Sequence, residues 1–481
     1  MVVVLAITSL GLVAGSCSIG QRWALNRSKW EPEAALRRIR SEEALKMGQA
    51  WSWERVVGAV ANRSLADISP PLEDARPVVE IMMGRKYDKH RMMVLENRVI
   101  VSPSMVKPGK TGRFVHTMTQ VARASELPNT VWVHYAGSKG AAMKSGQWTL
   151  PTTVIARHAN GTGVMVPNPY FGGGNLDAWD SERKKLDLAS QTHNWDKRDP
   201  RCFWRGHVRS SRDCAHGFGN YARLQAVSLT ACFDDLFDVK CQKGCGDDLN
   251  ITFTCDERYP PDPDVKRATS SERRKDLVAP TFTDSSDYAR YQFLLNLPGS
   301  TQGSYSRNLN HLWAMGAVVF LWDSPFVEWY YPALRHGITH VAVNKSTARS
   351  AVLEIRNDRK LRQTLLEAAK RVDERLVCGK CQIDFLVTLV NLIHSHYSYG
   401  RTLLKNRQDV VDLLNNHTNT SSVKCASDRP RFVELYYVGN ALHQRNLSCN
   451  VEPHHFDRPF EDGGVPVEDI TADVDQPPPS T

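Results

Sequence analysis

The chain has 481 residues, 41% of them hydrophobic and 23% charged, with a formal net charge of +9. That composition suits one large or two ordinary packed domains and excludes a wholly disordered, collagen-like or coiled-coil protein. No apolar run reaches the roughly 18 residues of a spanning helix, which argues against a multi-span helical membrane protein, and no Lys/Arg run is dense enough to predict a nucleic-acid groove.

Residues 1–20 read as a targeting segment. From Val2 to Gly15 the chain is apolar apart from Thr8 and Ser9, and Ala14, Gly15 and Ser16 precede the polar Gln21-Arg22. This is the length of a signal-peptide core; read as a short signal-anchor, the same run gives a single N-terminal membrane anchor. Asn-x-Ser/Thr sequons begin at Asn26, Asn62, Asn160, Asn250, Asn344, Asn416, Asn419 and Asn446. Besides Cys17 there are ten cysteines, six of them between Cys202 and Cys255. Both features fit disulfides and glycans in the lumen of the secretory pathway, endoplasmic reticulum or Golgi, or outside the cell. Cys241-x3-Cys245 and Cys378-x2-Cys381 also have spacings found in zinc or redox sites, but no His stands at finger spacing beside them.

Residues 21–75 form a charged stem with helical stretches, for example 33–47, where Leu36, Ile39 and Met47 share a face. Residues 76–195 are expected to form a first α/β domain, with strands at 78–82, 98–101, 131–135 and 153–156 between amphipathic stretches. Residues 196–400 make a second α/β domain. Within it, 241–287 is rich in Cys, Asp, Pro and Ser and reads as loop, and Asp262-Pro263-Asp264 beside Pro260-Pro261 reads as solvated loop rather than a metal site. Leu361, Leu365, Leu366, Ala369, Val372 and Leu376 recur at helical spacing, and 385–393 reads as a buried helix. His394, His396, His454 and His455 are assigned exposed or packing roles. Residues 401–450 are a C-terminal extension and 451–481 an acidic, Pro-rich disordered tail.

The most informative unit is 288–343. A buried strand over 291–297 is followed by the hydroxyl-rich loop Pro298-Gly299-Ser300-Thr301-Gln302-Gly303-Ser304-Tyr305-Ser306, a helix over 307–315 stopped by Gly316, and a second strand over 317–322. This is a β-loop-α-β unit with parallel strands. A loop at the carboxyl end of a strand and the start of a helix is where open α/β sheets bind ligands, and the helix start, Ser304, Ser306 and Arg307 suit a diphosphate. Read blandly, it is an ordinary strand-helix turn with an exposed Arg. A second candidate is Phe203-Trp204-Arg205-Gly206-His207-Val208-Arg209-Ser210-Ser211-Arg212, a local anion site or a solvated basic turn.

The order of the Trp204-Arg205-Gly206 cluster, 288–299, Ser306-Arg307, the strand at 316–320 and Glu328-Trp329-Tyr330-Tyr331 with Leu334 resembles the CAP10-like glycosyltransferases of family 90, over about 150–400. Val166-Pro167-Asn168-Pro169-Tyr170-Phe171 resembles a loop of the same family. The resemblance implies a GT-B fold, in which two Rossmann-like domains face each other across a cleft. It implies inverting, metal-independent transfer of glucose or xylose from a UDP-sugar, with no resident cofactor, to a hydroxyl of a protein or polysaccharide. By the same resemblance, Arg205, His207 and Arg212 line the donor pocket, Gly303, Ser304, Tyr305, Ser306 and Arg307 hold the pyrophosphate, and Glu328 meets ribose or sugar hydroxyls.

Inverting transfer needs a general base for the acceptor hydroxyl. The family's Asp after a strand of the first domain has no counterpart here, because 131–135 is followed by Ala136-Gly137-Ser138-Lys139. His134 is the nearby group with a suitable ordinary pKa. Two other readings stay open: a catalytically inactive relative that binds glycan or protein, and an unrelated secreted α/β protein whose Arg clusters bind another anion.

Overall fold

The computed structural model describes residues 89–136, 152–159, 161, 163–208, 217–242, 262–270, 274–299, 307–396, 404–416, 432–438, 441–447 and 465–466. The readings on residues 1–88, including the strand at 78–82, lie outside them. So do His454 and His455.

Strands β1 (Arg91–Leu95) and β2 (Arg98–Val101) are joined by Glu96 and Asn97, both at positive φ, 49° and 57°. Such a two-residue turn matches the twist of an antiparallel pair, here with Met92 opposite Val101. The Asn97 side chain donates to the Ala122 carbonyl at 2.9 Å and accepts from the Leu127 amide at 3.0 Å. That ties the turn to the end of helix α1 (Lys110–Ala124). Next come β3 (Thr130–Tyr135), β4 (Thr152–Val154), β5 (Ala156–His158), β6 (Val164–Met165) and helix α2 (Leu176–Gln191). The Asn175 side chain caps α2 by accepting from the Asp177 and Ala178 amides.

The second half runs through β7 (Asp199–Gly206), α3 (Gly217–Cys232), β8 (Phe237–Cys241), α4 (Pro263–Ala268), β9 (Tyr291–Asn296) and α5 (Arg307–Leu312). It continues with β10 (Val318–Trp322), β11 (Phe326–Glu328), β12 (Val341–Val343), α6 (Ala348–Asn357), α7 (Arg359–Arg375) and α8 (Gly379–His396). Helix α9 (Arg407–Asn416) and strands β13 (Phe432–Val438), β14 (Ala441–Leu447) and β15 (Val465–Pro466) follow.

Two sheets organise these elements. The second has the order β12-β10-β9-β7-β8 with every neighbour parallel. Both its faces are covered. Phe203, Leu294, Val319 and Leu321 enter one apolar cluster, while Trp204, Phe293, Leu295 and Phe320 enter another. Burial on both faces is why 291–296 and 318–322 read as nearly continuous apolar runs.

The first sheet, β15-β14-β13-β2-β1-β3-β4-β6, departs from the Rossmann-like expectation. Only β3, β4 and β6 run parallel; the rest is antiparallel. For β1–β2 and β13–β14 the cause is connection length, since two residues between strands permit only a hairpin. Residues 432–447, expected as part of an extension, supply the hairpin that pairs with β2. Residues 465–466, expected in a disordered tail, pair with β14. One apolar cluster is continuous from β1–β3 through Trp313 and Trp329 to α7 and α8. Helix α8 packs on α1, α2 and β3, and the Asn129 carbonyl lies 3.0 Å from His394 Nδ1, a packing role for that histidine.

Two other expectations need correction. Asp262-Pro263-Asp264 is not solvated loop. Asp262 caps α4 with Pro263 in the first turn, and Lys345 Nζ reaches the buried Asp262 and Asp264 at 2.5 and 2.7 Å. Nor are all the cysteines paired. Cys378 and Cys381 form a disulfide with each other and Cys232 and Cys241 each belong to a disulfide, but Cys202 is a free thiol buried inside β7, with burial pushing its pKa up.

The first sheet is pinned across β2, β13 and β14 by one carboxylate. Glu434 is fully buried and accepts from Arg98 Nη1 at 2.6 Å and Arg445 Nη2 at 2.7 Å. Removing one member of such a set strands the others' charge. Glu434→Gln should therefore lower the unfolding free energy by about 3 kcal/mol in a urea titration. Lys370→Ala, which breaks an exposed pair with Glu374, should leave the same curve unchanged.

Candidate nucleotide-sugar site

Chain order in the parallel sheet defines a place before any side chain is considered. From β7 the chain crosses to β8 on one side; β9, β10 and β12 build outward on the other. This reversal opens a crevice outside the carboxyl ends of β7 and β9. Those ends are Gly206 and Asn296, and the two segments marked by the sequence leave from them. Of those segments, Arg212, Gly303, Ser304, Tyr305 and Ser306 lie outside the described residues. Arg307 opens α5; its side chain also lies outside the description.

The described residues show how the two strand ends are held together. Arg223 of α3 is buried against the Trp204 ring, 5.4 Å from its centroid. Its Nε donates to the Pro298 carbonyl at 2.8 Å, and its Nη1 donates to the His207 carbonyl. One guanidinium therefore bridges the loops that follow β9 and β7. A second brace runs through Tyr288, whose hydroxyl donates to the Arg205 carbonyl at 2.9 Å and accepts from Asn308 Nδ2 of α5 at 2.9 Å. Gly206 is required by close approach, because a Cβ there would lie 2.4 Å from Cζ2 of Trp204. Asn296 Oδ1 is buried at the end of β9 with no hydrogen-bond partner among the described residues. Sequence reasoning missed Arg223 and Asn308, which stand outside both marked segments or beyond their emphasis. Their role depends on backbone carbonyls, which leave no mark in a sequence.

The candidate side chains divide. His207 is exposed at the end of β7. Arg205 does not open into the crevice. Its Nη2 contacts both oxygens of Asp238 at 2.9 Å, its Nη1 donates to the Asp238 carbonyl at 2.6 Å, and the group lies 4.2 Å from the Phe203 ring centroid. Asp238 stands level with Phe203 on β8, so the guanidinium turns back along the sheet. Tyr291 adds a hydroxyl to Asp238 Oδ2 at 3.0 Å. A buried carboxylate needs such partners, and Arg205 is the main one.

Glu328 is placed by the ribbon of β11 with β5, where it lies opposite Ala156. Its carboxyl is buried, with Oε2 accepting from Asn168 Nδ2 at 2.9 Å. Asn168 accepts in turn from Asn310 Nδ2 of α5 at 3.1 Å and from the Tyr170 amide. A polar chain thus joins β11, the 166–171 loop and α5, the helix that follows the 298–306 loop. Burial raises the Glu328 pKa to about 8, with bonds from Asn168 and Tyr331 opposing it. Its Oε1 has no partner among the described residues.

His134 is a core histidine, not a base at a strand end. It is fully buried on β3, its Nδ1 is 3.0 Å from Thr153 Oγ1, and its ring stacks on Phe114 at 3.9 Å. Burial, with a smaller contribution from His90, lowers its pKa to about 3. β3 is buried on both faces from Thr130 to His134, which a strand-end position in the sequence does not reveal. Among the described residues no group of three His, Cys, Asp or Glu side chains is gathered as a metal site.

Two outcomes test this geometry. Glu328 is protonated in the folded chain up to about pH 8 but ionises near 4.5 when unfolded. The native state therefore binds the extra proton between those values, and stability from this group is lost as pH rises through 8. Glu328→Gln, which cannot ionise, should match wild type at pH 4.5. Above pH 8 it should melt at least about 3 °C higher, as measured by thermal unfolding across pH. Arg223→Met keeps bulk but cannot bridge the two carbonyls, and should speed amide hydrogen exchange at the ends of β7 and β9 by about tenfold, roughly the worth of one charge-assisted hydrogen bond.

The glycosyl transferase family 90 model matches residues 148–376, from before β4 to the end of α7. No curated protein matches the chain. Among solved structures, it is similar to the crystal structure of a glycosyltransferase from Rickettsia africae ESF-5, at 13% identity, 50% coverage of this chain, 57% of that one and a TM-score of 0.27. The chain thus spans little more than half the length of that structure. The segment matched to family 90 contains the whole parallel sheet, both loops at its strand reversal, Asn168 and Glu328.

Proposed function

We propose that the chain is a family 90 glycosyltransferase that moves glucose or xylose from a UDP-sugar to a hydroxyl of a protein or glycan in the lumen of the secretory pathway. The observation that carries this reading is a coincidence of place. The family match covers the doubly wound sheet, and both sequence candidates leave that sheet at its strand reversal. In this reading 196–400 is the donor domain of a GT-B pair and 76–195 the acceptor side.

The chemistry is a displacement. The acceptor oxygen attacks the anomeric carbon as the bond to the diphosphate oxygen breaks, and UDP departs with the electron pair. Inversion follows from attack opposite the leaving group. The diphosphate charge must be met as it develops. Helix α5 has six residues, so its dipole is short and most of that charge falls to Arg307, with Ser304 and Ser306 donating hydrogen bonds. No metal is required if these groups suffice. A ribose or sugar hydroxyl accepting from Oε1 of the protonated Glu328 carboxyl would satisfy an oxygen that has no other partner among the described residues. Arg205 serves as the strut that holds β7 rather than as a donor ligand.

A second reading has its own support. The family's Asp is missing after β3, and His134 is too buried to replace it. An inactive relative that keeps the donor site and binds glycan or protein fits those two facts.

The test is UDP release by the full chain with UDP-glucose and UDP-xylose in turn, with a chelator present. Turnover with one sugar, reduced at least about tenfold in Arg307→Ala and unchanged by the chelator, is the expected result. UDP binding that needs Arg307 without turnover on any acceptor would favour the inactive relative. Absence of UDP binding would overturn both.

A further inference from the structure

The turn between α7 and α8 carries a feature that glycosyl transfer leaves unused. Cys378-Gly379-Lys380-Cys381 closes as a disulfide at the start of an 18-residue helix. Cys378 occupies the N-cap position, since its carbonyl accepts the Gln382 amide at 3.0 Å. Cys381 is the third helical residue, and its amide lies 3.0 Å from Cys378 Sγ. The sulfur stands where a Ser or Asp oxygen usually caps a helix. The two residues differ in exposure: Cys378 is partly exposed and Cys381 buried, at 7%. Cys381 Sγ lies 3.5 Å from the Glu374 carbonyl oxygen. Gly379 between them is packed against α2. Its amide donates to Asp180 Oδ1 at 2.9 Å, and a Cβ there would lie 2.7 Å from Asp180 Oδ2.

As a staple this bond does little. A disulfide stabilises by closing a loop in the unfolded chain, and the gain is smallest for the shortest loops. The turn is already held by Asp180, by Trp179 Nε1 donating to the Val377 carbonyl and by Gln382 Nε2 donating to the same carbonyl. The geometry favours chemistry instead. A thiolate on Cys378 would keep the Cys381 amide as donor and sit at the positive end of α8, both of which lower a thiol's pKa. Lys380 adds little, because its ammonium is paired with Asp384 at 3.0 Å.

We propose that Cys378–Cys381 is a thiol–disulfide exchange site that takes dithiols, with Cys378 as the reactive sulfur. A thiolate of the dithiol attacks Cys378 Sγ and the Cys378–Cys381 bond breaks. The electron pair leaves on Cys381, which takes a proton from the dithiol and keeps it as a thiol hydrogen-bonded to the Glu374 carbonyl. The dithiol's second thiolate then attacks its own sulfur in the mixed disulfide and expels Cys378 as a thiolate. The dithiol is oxidised to a disulfide, two electrons pass to the pair, one proton stays on Cys381 and one goes to solvent. Run backwards, the reduced pair reduces a disulfide.

The test is a redox titration of the full chain in mixtures of reduced and oxidised dithiothreitol, with free thiols blocked by maleimide and assigned by peptide mass. Cys378 and Cys381 should be reduced at a reduced-to-oxidised ratio at least about tenfold below that needed for Cys232 and Cys241, with the circular dichroism unchanged. In Cys381→Ser, oxidised glutathione should form a mixed disulfide on Cys378, with a rate midpoint below the ordinary thiol pKa of about 8.5. Reduction only together with Cys232 and Cys241, reduction only with loss of fold, or a Cys378 that titrates like an ordinary thiol would overturn the proposal. If Cys381→Ser does not fold, the wild-type titration decides alone.

Discussion

The reversal of strand order between β7 and β9 is the constraint on which the site depends. Parallel strands must be joined by crossovers, and where the direction of winding changes no crossover covers the strand ends. The segments that leave β7 at Gly206 and β9 at Asn296 start side by side. Nothing in that arrangement keeps the loops at a fixed spacing. Arg223 does, by donating to a carbonyl in each, and Tyr288 with Asn308 does so one step further along. The diphosphate reading therefore rests on a backbone frame first and on charged side chains second.

Buried charge is sorted consistently. Arg205 with Asp238, Arg98 and Arg445 with Glu434, and Lys345 with Asp262 and Asp264 are each paired inside the fold. Each carboxylate has a cation because desolvation without one is too costly. Glu328 is the exception: its neighbours are carboxamides and a hydroxyl, so burial is met by protonation instead. A neutral carboxyl with one oxygen unpaired among the described residues joins α5 to the 166–171 loop and to β11.

The unit from β9 to β10 was legible because it needs only local information. Its strands are apolar on both faces, Gly316 ends the helical stretch at φ 55°, and the loop between is polar. Two later helices were legible for the same reason: helical spacing predicts Leu365 and Val372 as core, and the apolar run 385–393 predicts a buried helix with Phe385 and Leu389. What was not legible depends on distant partners. β13 and β14 are one hairpin whose burial comes from β2, more than 300 residues away. Arg205 reads as an anion donor until Asp238 is placed beside it. His134 reads as a strand-end base until burial of β3 stacks it on Phe114. A carboxylate or imidazole in sequence carries no sign of which side of a sheet it will face.

We propose that a UDP-sugar binds where β7 and β9 end. Hydrogen exchange of the full chain, with and without saturating UDP, tests it most directly. The account predicts slowed exchange confined to peptides covering 205–212 and 297–310, with β8, β12 and the first sheet unchanged. Protection at another edge of the sheet, or none in the presence of bound UDP, would contradict it.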